Sequence, residues 1–128
     1  MAIKFKVQEA GNPQDLAAPK KFYARPISSG EISLEDLAED IAYASSINES
    51  DVMAVLYSLV RVVPRHIAQG FIVRLGGLGS FRLGASSLGS DTPEEVTAAN
   101  IQRPRVIFQN GLRIKKALST LTFRKNED

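Results

Sequence analysis

Residues 71–83, FIVRLGGLGSFRL, contain two short strand-like runs separated by a cluster of glycines. Over residues 71–75 the large apolar residues at 71, 73 and 75 alternate with Ile72 and Arg74, a pattern that is typical of a β-strand. The glycines at 76, 77 and 79 predict a tight turn, because glycine adopts backbone conformations that other residues avoid. A second strand follows over residues 80–83, so the stretch predicts a β-hairpin.

Downstream of this hairpin, the sequence predicts an excursion from the sheet and then a return to it. Residues 84–100, GASSLGSDTPEEVTAAN, are small and polar and predict a long flexible segment. Residues 101–108, IQRPRVIF, predict a third strand. By the two-residue period of a strand, Arg103 and Arg105 share one face of it, and apolar residues share the other.

The two ends of the chain add further elements. Residues 3–8, IKFKVQ, alternate apolar and polar residues, and residues 21–27, KFYARPI, contain a proline that suits an edge strand. These segments predict an N-terminal β-hairpin with a loop of about ten residues. Residues 112–118, LRIKKAL, predict a short helix, and residues 120–125, TLTFRK, predict a final strand.

Two helices are predicted upstream of the glycine-rich hairpin. A short helix begins at Ser33, where acidic residues crowd the first turns and complement the helix dipole. Asn48 is a good N-cap for a longer helix that extends to about Gln69 and stops at Gly70. Pro64 lies inside this helical pattern, so a kink or a break into two helices is expected there.

The longer helix is apolar around too much of its surface for a helix with one buried side. A pair of helices within one chain cannot bury both apolar sides, so the excess predicts a subunit interface, most simply in a two-fold dimer. The apolar positions are Val52, Met53, Val55, Leu56, Leu59, Val60, Val62, Val63 and Ile67.

The predicted order ββ–αα–βββ–α–β is an α+β pattern, unlike the alternating pattern of a parallel nucleotide-binding sheet. The chain has 128 residues, no cysteine and a single histidine, His66. These counts exclude a disulfide scaffold, a thiolate or multi-histidine metal site and a cysteine nucleophile. No pairing of nucleophile and base emerges, so neither enzyme activity, nor a cofactor, nor a small-molecule substrate is expected.

The lengths of the apolar runs indicate where in the cell the protein is expected. None reaches the roughly 20 residues needed to span a bilayer, so no membrane partner is expected. The N-terminal segment lacks the apolar region of a signal peptide. The sequence therefore predicts a soluble intracellular protein.

Charge is distributed unevenly along the chain. Residues 1–32 carry a net +2, residues 33–70 a net −4 and residues 71–128 a net +4, which together give the overall +2. Residues 101–125 contain seven basic residues and no acid. Such asymmetry favours a polyanionic partner, and the alternative is a solvated basic surface without one.

Three features of residues 33–118 occur in the same order and spacing in a known family. They are the capped helix pair, RLGGLGSFRL at residues 74–83 and VIFQNGLRIKKAL at residues 106–118. On these features the chain resembles the bacterial histone-like family of HU and integration host factor. That family has a Gly–aromatic–Gly–small–Phe turn where residues 77–81 stand here, and a Phe–Lys–Pro–Gly–Lys motif where residues 108–112 stand here. The N-terminal segment is similar to that of extended HU-related proteins.

The resemblance implies an intertwined homodimer with a helical base, a three-stranded antiparallel sheet that forms a saddle, and β-arms that reach around double-stranded DNA. Members of the family bend DNA from the minor groove, with a proline near each arm tip and low sequence specificity. Backbone charge and DNA deformability carry the affinity. The chain then divides into an N-terminal β-hairpin extension (1–32), an HU-like DNA-binding domain (33–119) and a C-terminal strand or tail (120–128).

Two departures from the family pattern affect the arm and the motif that follows it. The family's arm is rich in Arg and Lys, whereas residues 84–100 carry no positive charge and place three acids near Pro93. These acids, Asp91, Glu94 and Glu95, would repel phosphates. The family's Lys-Pro-Gly is also replaced by Gln-Asn-Gly at residues 109–111.

The candidate DNA contacts are basic residues on the predicted strands and on the short helix. Phosphate binding competes with a simpler interpretation, in which these residues only solvate the strands and pair in part with the acidic first helix. Pro93 is either an arm-tip wedge or an ordinary turn proline. The candidates are Arg74, Arg82, Arg103, Arg105, Arg113, Lys115 and Lys116.

The sequence therefore predicts an architectural, largely nonspecific DNA-binding protein of the HU type, acting as a homodimer in the bacterial cytoplasm as part of the nucleoid. The alternative is a structural or protein-interaction protein that keeps the HU fold but binds DNA weakly or not at all. In that alternative, the acidic arm and the added hairpin bind protein.

Overall fold

The computed structural model describes residues 1–127 and separates into two units. The first unit comprises Met1–Ser33 together with the C-terminal segment from Leu118, and the second comprises Leu34–Ala117. Asp128, the last residue of the predicted segment 120–128, lies outside the described residues. The predicted segment 1–32 and the described part of the segment 120–128 therefore belong to one unit, because their strands pair with each other.

The helices of the second unit begin and end where local chemistry favours it. The first, α1, spans Leu34–Tyr43, and the second, α2, spans Glu49–Ala68. The Asn48 side chain accepts a hydrogen bond of 2.9 Å from the Asp51 backbone N–H, which confirms the predicted N-cap. Gly70 has a φ of 88°, a left-handed conformation that glycine adopts at helix ends without strain.

Pro64 does not divide α2, since one continuous helix runs through it. The predicted break into two helices is therefore wrong. Proline lacks the N–H that would bond to the carbonyl four residues earlier, at Val60, so the helix continues with that bond missing.

The two helices pack on each other, and few side chains of the unit are fully buried. Among the described residues, the buried apolar side chains are Ala38, Val52 and Ile67, with 0%, 4% and 8% of their surfaces exposed. The Tyr57 hydroxyl donates a hydrogen bond of 3.0 Å to the Glu35 carboxylate and so links α2 to α1. That hydrogen bond, the negative charge of Glu35 and slight desolvation raise the pKa of Tyr57 above its ordinary value.

A three-stranded antiparallel sheet completes the second unit. Its strands are β3 (Val73–Arg74), β4 (Gly79–Ser87) and β5 (Ile101–Asn110), in the order β3–β4–β5. The strand predicted over residues 71–75 is shortened because the Phe71 N–H bonds to the His66 carbonyl at the end of α2. The His66 and Phe71 rings also meet edge to face, with their centroids 6.1 Å apart.

One face of this sheet is apolar. Val73 pairs with Phe81, Phe81 with Phe108, and Leu83 with Val106, so these side chains share a face across the three strands. The rings of Phe81 and Phe108 lie 5.0 Å apart in a tilted arrangement. Together with α2 this face borders an apolar groove of about 460 Å³. The groove is lined by Leu59, Val60, Val63, Pro64, Ile67, Ala68, Leu75, Phe81 and Val106.

The first unit is built on a second three-stranded sheet. Its strands are β1 (Ile3–Ala10), β2 (Lys21–Pro26) and β6 (Phe123–Lys125), in the order β2–β1–β6. β1 pairs antiparallel with β2 and parallel with β6. A third helix, α3, spans Leu112–Leu118 and precedes β6, as the sequence predicted.

Candidate nucleic-acid interface

The glycine turn between β3 and β4 is pinned against the start of α3. The Arg113 N–H donates a hydrogen bond of 2.9 Å to the Gly77 carbonyl, and the Gly111 N–H donates one of 3.0 Å to the Leu78 carbonyl. A Cβ on Gly77 would stand 2.5 Å from Cγ of Arg113, and one on Gly111 would collide with the Gly77 backbone. The glycines are therefore needed for close packing, and the turn holds the stem of Arg113 in place.

The face of the β3–β4–β5 sheet opposite the apolar one carries three arginines. Arg74 pairs with Ser80. On β4, Arg82 lies two residues beyond Ser80 and pairs with Ile107, and Gly84 lies two residues further and pairs with Arg105. Paired residues and i, i+2 neighbours share a face, so all three arginines lie on the same side. We call Arg74, Arg82 and Arg105 the arginine face.

The surroundings of the arginine face leave its charge uncompensated within the sheet. All three arginines are exposed. The three strands contain no acidic residue. Between the arginines, the Ile107 side chain lies over Gly84, where a Cβ would stand 2.5 Å from its Cδ1 atom. A positively charged surface with an apolar centre results.

Ile107 is a candidate contact that the sequence analysis did not single out. The same two-residue period that placed Arg105 on this face also places Ile107 there, so the signal was present in the sequence. Apolar side chains can insert at base steps of DNA when they lie among basic residues.

Arg103 does not continue the row of Arg105. Gly84 pairs with Arg105 and Ser86 with Gln102, so β5 has one more residue than β4 between these pairs. The extra residue forms a β-bulge in which Arg103 takes a φ of 50°. The prediction that Arg103 and Arg105 share a face by the two-residue period is therefore wrong, because the bulge interrupts that period.

The helix α3 starts against the glycine turn, where the Arg113 N–H bonds to the Gly77 carbonyl. Arg113, Lys115 and Lys116 are all exposed. A polar cleft of about 260 Å³ adjoins this turn, and both Arg74 and Gly111 line it. The chain therefore places Arg74 close to the start of the helix that carries the other three cations.

The arm differs from the flexible segment that the sequence predicted for residues 84–100. Residues 84–87 belong to β4, so β4 is longer than the predicted strand over residues 80–83. β4 and β5 extend beyond β3 as a two-stranded ladder from Arg82 to Ser87, a length of about 20 Å. We keep the name arm for residues 84–100, which comprise the end of β4 and the excursion that follows it.

The tip of the arm is organised by one asparagine. The Asn100 amide donates hydrogen bonds of 2.9 Å to the Leu88 carbonyl and to the Ser90 hydroxyl, and its oxygen accepts one of 2.9 Å from the Thr97 N–H. Two short 3₁₀ helices, Pro93–Glu95 and Ala98–Asn100, lie between these anchors. Pro93 is the first residue of the former, a position that suits proline because no N–H is needed there.

The acids predicted at the arm tip are exposed. They are Asp91, Glu94 and Glu95. Since residues 84–100 contain no basic residue, the charge of the tip is opposite to that of the arginine face.

Other kinds of site find little support in the part of the chain that the structure describes. Within residues 1–127, no group of three or more His, Cys, Asp or Glu side chains could hold a metal ion. Across the same residues, no helix combines the length and apolar character needed to cross a membrane.

A capped helix pair on a three-stranded sheet with an arm defines an HU-type fold. Two solved structures share it. A crystal structure of a supposed bacterial DNA-binding protein from Bacteroides vulgatus aligns with a TM-score of 0.65 and 12% identity, covering 97% of this chain and 48% of that one. A cocrystal structure of Anabaena HU with DNA aligns with a TM-score of 0.54 and 19% identity, covering 69% of this chain and 98% of that one.

The sequence assigns the family more closely. The sequence model of the HU-HIG family, described as an HU domain fused to a wHTH, Ig or glycine-rich motif, matches residues 1–125. The chain therefore belongs to the HU-HIG family. It spans about half the length of the Bacteroides vulgatus protein. No curated protein matches it.

Proposed function

We propose that this chain is an architectural, largely sequence-nonspecific DNA-binding protein that acts as a homodimer and contacts duplex DNA through the arginine face. The observation that carries the proposal is the row of Arg74, Arg82 and Arg105 on one side of a sheet without acidic residues. Arginine forms bidentate hydrogen bonds to phosphate. The DNA backbone therefore matches this surface.

We expect low sequence specificity because the arginine face suits contacts to the DNA backbone. Sequence is read by side chains that reach base edges in a groove, whereas phosphate contacts position a protein without reading sequence. Arginines standing on a sheet, with Ile107 among them, suit backbone contacts and an apolar contact to a deformed groove. DNA deformability then decides where the protein binds best.

The apolar groove supports the homodimer. Leu59 and Val60, which line it, have 41% and 55% of their surfaces exposed, and Val106 has 53%. A second copy related by a two-fold axis would cover this groove with the same groove of its own.

We do not propose that the arms wrap around DNA. Asp91, Glu94 and Glu95 would approach phosphates with like charge, and Pro93 already has a role in starting a 3₁₀ helix. Bending, where it occurs, is driven by the arginine face and the neighbouring basic helix α3, whose Arg113, Lys115 and Lys116 extend the positive surface. Because the proposed partner is duplex DNA, we place the protein in the bacterial nucleoid.

The arm tip favours a second candidate function, binding of another protein. Leu88 and Val96 each have 54% of their surfaces exposed beside the three acids. An exposed apolar and acidic tip suits a basic protein surface better than it suits DNA. In this alternative the HU fold is kept and DNA binding is weak or absent.

A mobility-shift assay with linear and pre-bent duplexes tests the proposal. The wild-type protein should bind both and prefer the pre-bent duplex, because less deformation energy is then needed. The variant with Arg74, Arg82 and Arg105 changed to Ala should lose at least tenfold in affinity. A control with Lys20, Arg61 and Arg65 changed to Ala removes the same charge from elsewhere and should bind nearly as the wild type does. Absence of wild-type binding at low salt would favour the protein-binding alternative.

A further inference from the structure

The sheet of the first unit has one face on which most residues are basic. The register pairs Lys6 with Arg25 and Ala10 with Lys21 between β1 and β2, and it pairs Lys4 with Arg124 between β1 and β6. Paired residues and i, i+2 neighbours share a face. Five of the eight residues on this face are basic and none is acidic. We call Lys4, Lys6, Lys21, Arg25 and Arg124 the N-terminal basic face.

The opposite face of the same sheet has a different character. Ile3, Phe5 and Val7 lie on it from β1, with Phe22 from β2 and Phe123 from β6, and its charged residues are Glu9 and Lys125. Cations are thus concentrated on one face and apolar residues on the other.

The arrangement of the cations opposes the stability of the sheet. Lys6 lies directly opposite Arg25, and Lys4 lies directly opposite Arg124. Like charges at directly opposed positions destabilise a sheet. All five cations are exposed. An acid at a neighbouring position such as Gln8 would relieve this repulsion, yet the face contains none.

One acid lies at the margin of the face. Glu127 lines a cleft of about 260 Å³ together with Lys4 and Arg124. It follows the end of β6 and lies outside the strand register. It therefore offsets part of the charge at that edge and leaves Lys6, Lys21 and Arg25 without a nearby acid on their face.

We propose that the N-terminal basic face is a second binding surface for the phosphate backbone of duplex DNA. A row of phosphates carries closely spaced negative charge that would relieve the repulsion between the opposed cations. Lysine and arginine bind phosphates without reading sequence, so this surface adds affinity but no specificity. The inference rests on the proposed function in so far as DNA is the shared partner.

Protection of lysines from chemical acetylation tests the surface in the wild-type protein. Duplex DNA should slow acetylation of Lys4, Lys6 and Lys21 at least threefold. Lys125, on the opposite face of the same sheet, and Lys20, in the preceding loop, are internal controls and should change by less than half as much. Equal protection of all five lysines, or protection of none, would overturn the inference.

The salt dependence of binding gives a second test. The variant with Lys4, Lys6, Arg25 and Arg124 changed to Ala should reduce the slope of log K against log salt by up to about 0.9 for each phosphate that the protein no longer neutralises. A control with Lys20, Arg61, Arg65 and Lys125 changed to Ala removes four charges outside the face and should reduce it by less than one unit. The first variant should also unfold at the same or a higher temperature, because repulsion between opposed cations is removed.

The outcomes separate this inference from the proposed function. If the arginine-face variant loses binding while Lys4, Lys6 and Lys21 stay unprotected in the wild-type complex, the second surface is wrong and the proposed function stands. If these lysines are protected and the arginine-face variant binds as the wild type does, the second surface stands and the assignment of the arginine face is wrong.

Discussion

A charge placed in the apolar groove should prevent folding, because the groove is proposed to be the centre of a dimer. Leu59 lines the groove and has 41% of its surface exposed in the single chain. Full burial of a leucine contributes about 1.5–3 kcal/mol, so covering the remaining exposed part contributes about 1 kcal/mol in each chain. Leu59→Glu removes this contribution.

The buried carboxylate adds a larger cost. An unpaired charge in a protein interior costs several kcal/mol, and the two-fold axis places two such charges in one interface. The total is on the order of 6 kcal/mol or more, which corresponds to at least a 10⁴-fold weaker dimer. That approaches the whole stability of a small domain, so the chain should be unfolded or aggregated.

Sedimentation and circular dichroism check this prediction together. The wild type should sediment at twice the 13.9 kDa of the chain. Its unfolding temperature should rise with protein concentration, as in an obligate dimer. Ala54→Glu is the matched control, because Ala54 is exposed on the same helix, and it should leave both properties unchanged. A Leu59→Glu chain that is monomeric with wild-type helix content would refute the reasoning.

Three further predictions concern the bulge, the helix pair and the arm. Arg103→Gly should be more stable than Arg103→Ala by about 0.5–1 kcal/mol in urea denaturation, because glycine tolerates the φ of 50°; equal stabilities would show that the bulge relaxes. The Glu35 carboxylate raises the pKa of Tyr57. The hydrogen bond between them therefore stabilises the fold at pH values below the ordinary tyrosine pKa. This stabilisation is lost as the pH rises through the pKa that Tyr57 has in the folded protein. Glu35→Gln should therefore lower the pKa of Tyr57, as measured by a phenolate absorbance titration with Tyr57→Phe as the reference. An unchanged pKa would contradict this prediction. Pro93→Ala should change DNA affinity less than twofold in the mobility-shift assay, and a large loss would show that the arm tip contacts DNA.

The elements with strong local signals were predictable from the sequence. Asn48 and Gly70 marked the ends of α2 because a cap and a left-handed residue act within a few positions of the helix. The helix over residues 112–118 was also predicted correctly, because the pattern that indicates it lies within those residues. The common face of the arginines at 74, 82 and 105 was predictable because strand alternation is unbroken between Gly79 and Gly84 and their partners.

The remaining features depend on contacts between distant residues. The bulge at Arg103 cannot be inferred from β5 alone, since it is a mismatch with β4. The parallel pairing of β1 with β6 joins the two ends of the chain, so the N-terminal basic face is complete only once Arg124 is placed beside Lys4. The arm tip was predicted to be flexible because its residues are small and polar, and the hydrogen bonds of Asn100 give it order.

The salt dependence of DNA binding by the arginine-face variant tests the central claim most directly. Each phosphate neutralised contributes about 0.9 to the slope of log K against log salt, and a dimer presents three arginines from each chain. Changing Arg74, Arg82 and Arg105 to Ala should reduce the slope by up to about 5 units, while the Lys20, Arg61 and Arg65 control should keep a slope close to that of the wild type. An unchanged slope in the arginine-face variant, with the protein folded and dimeric, would contradict it.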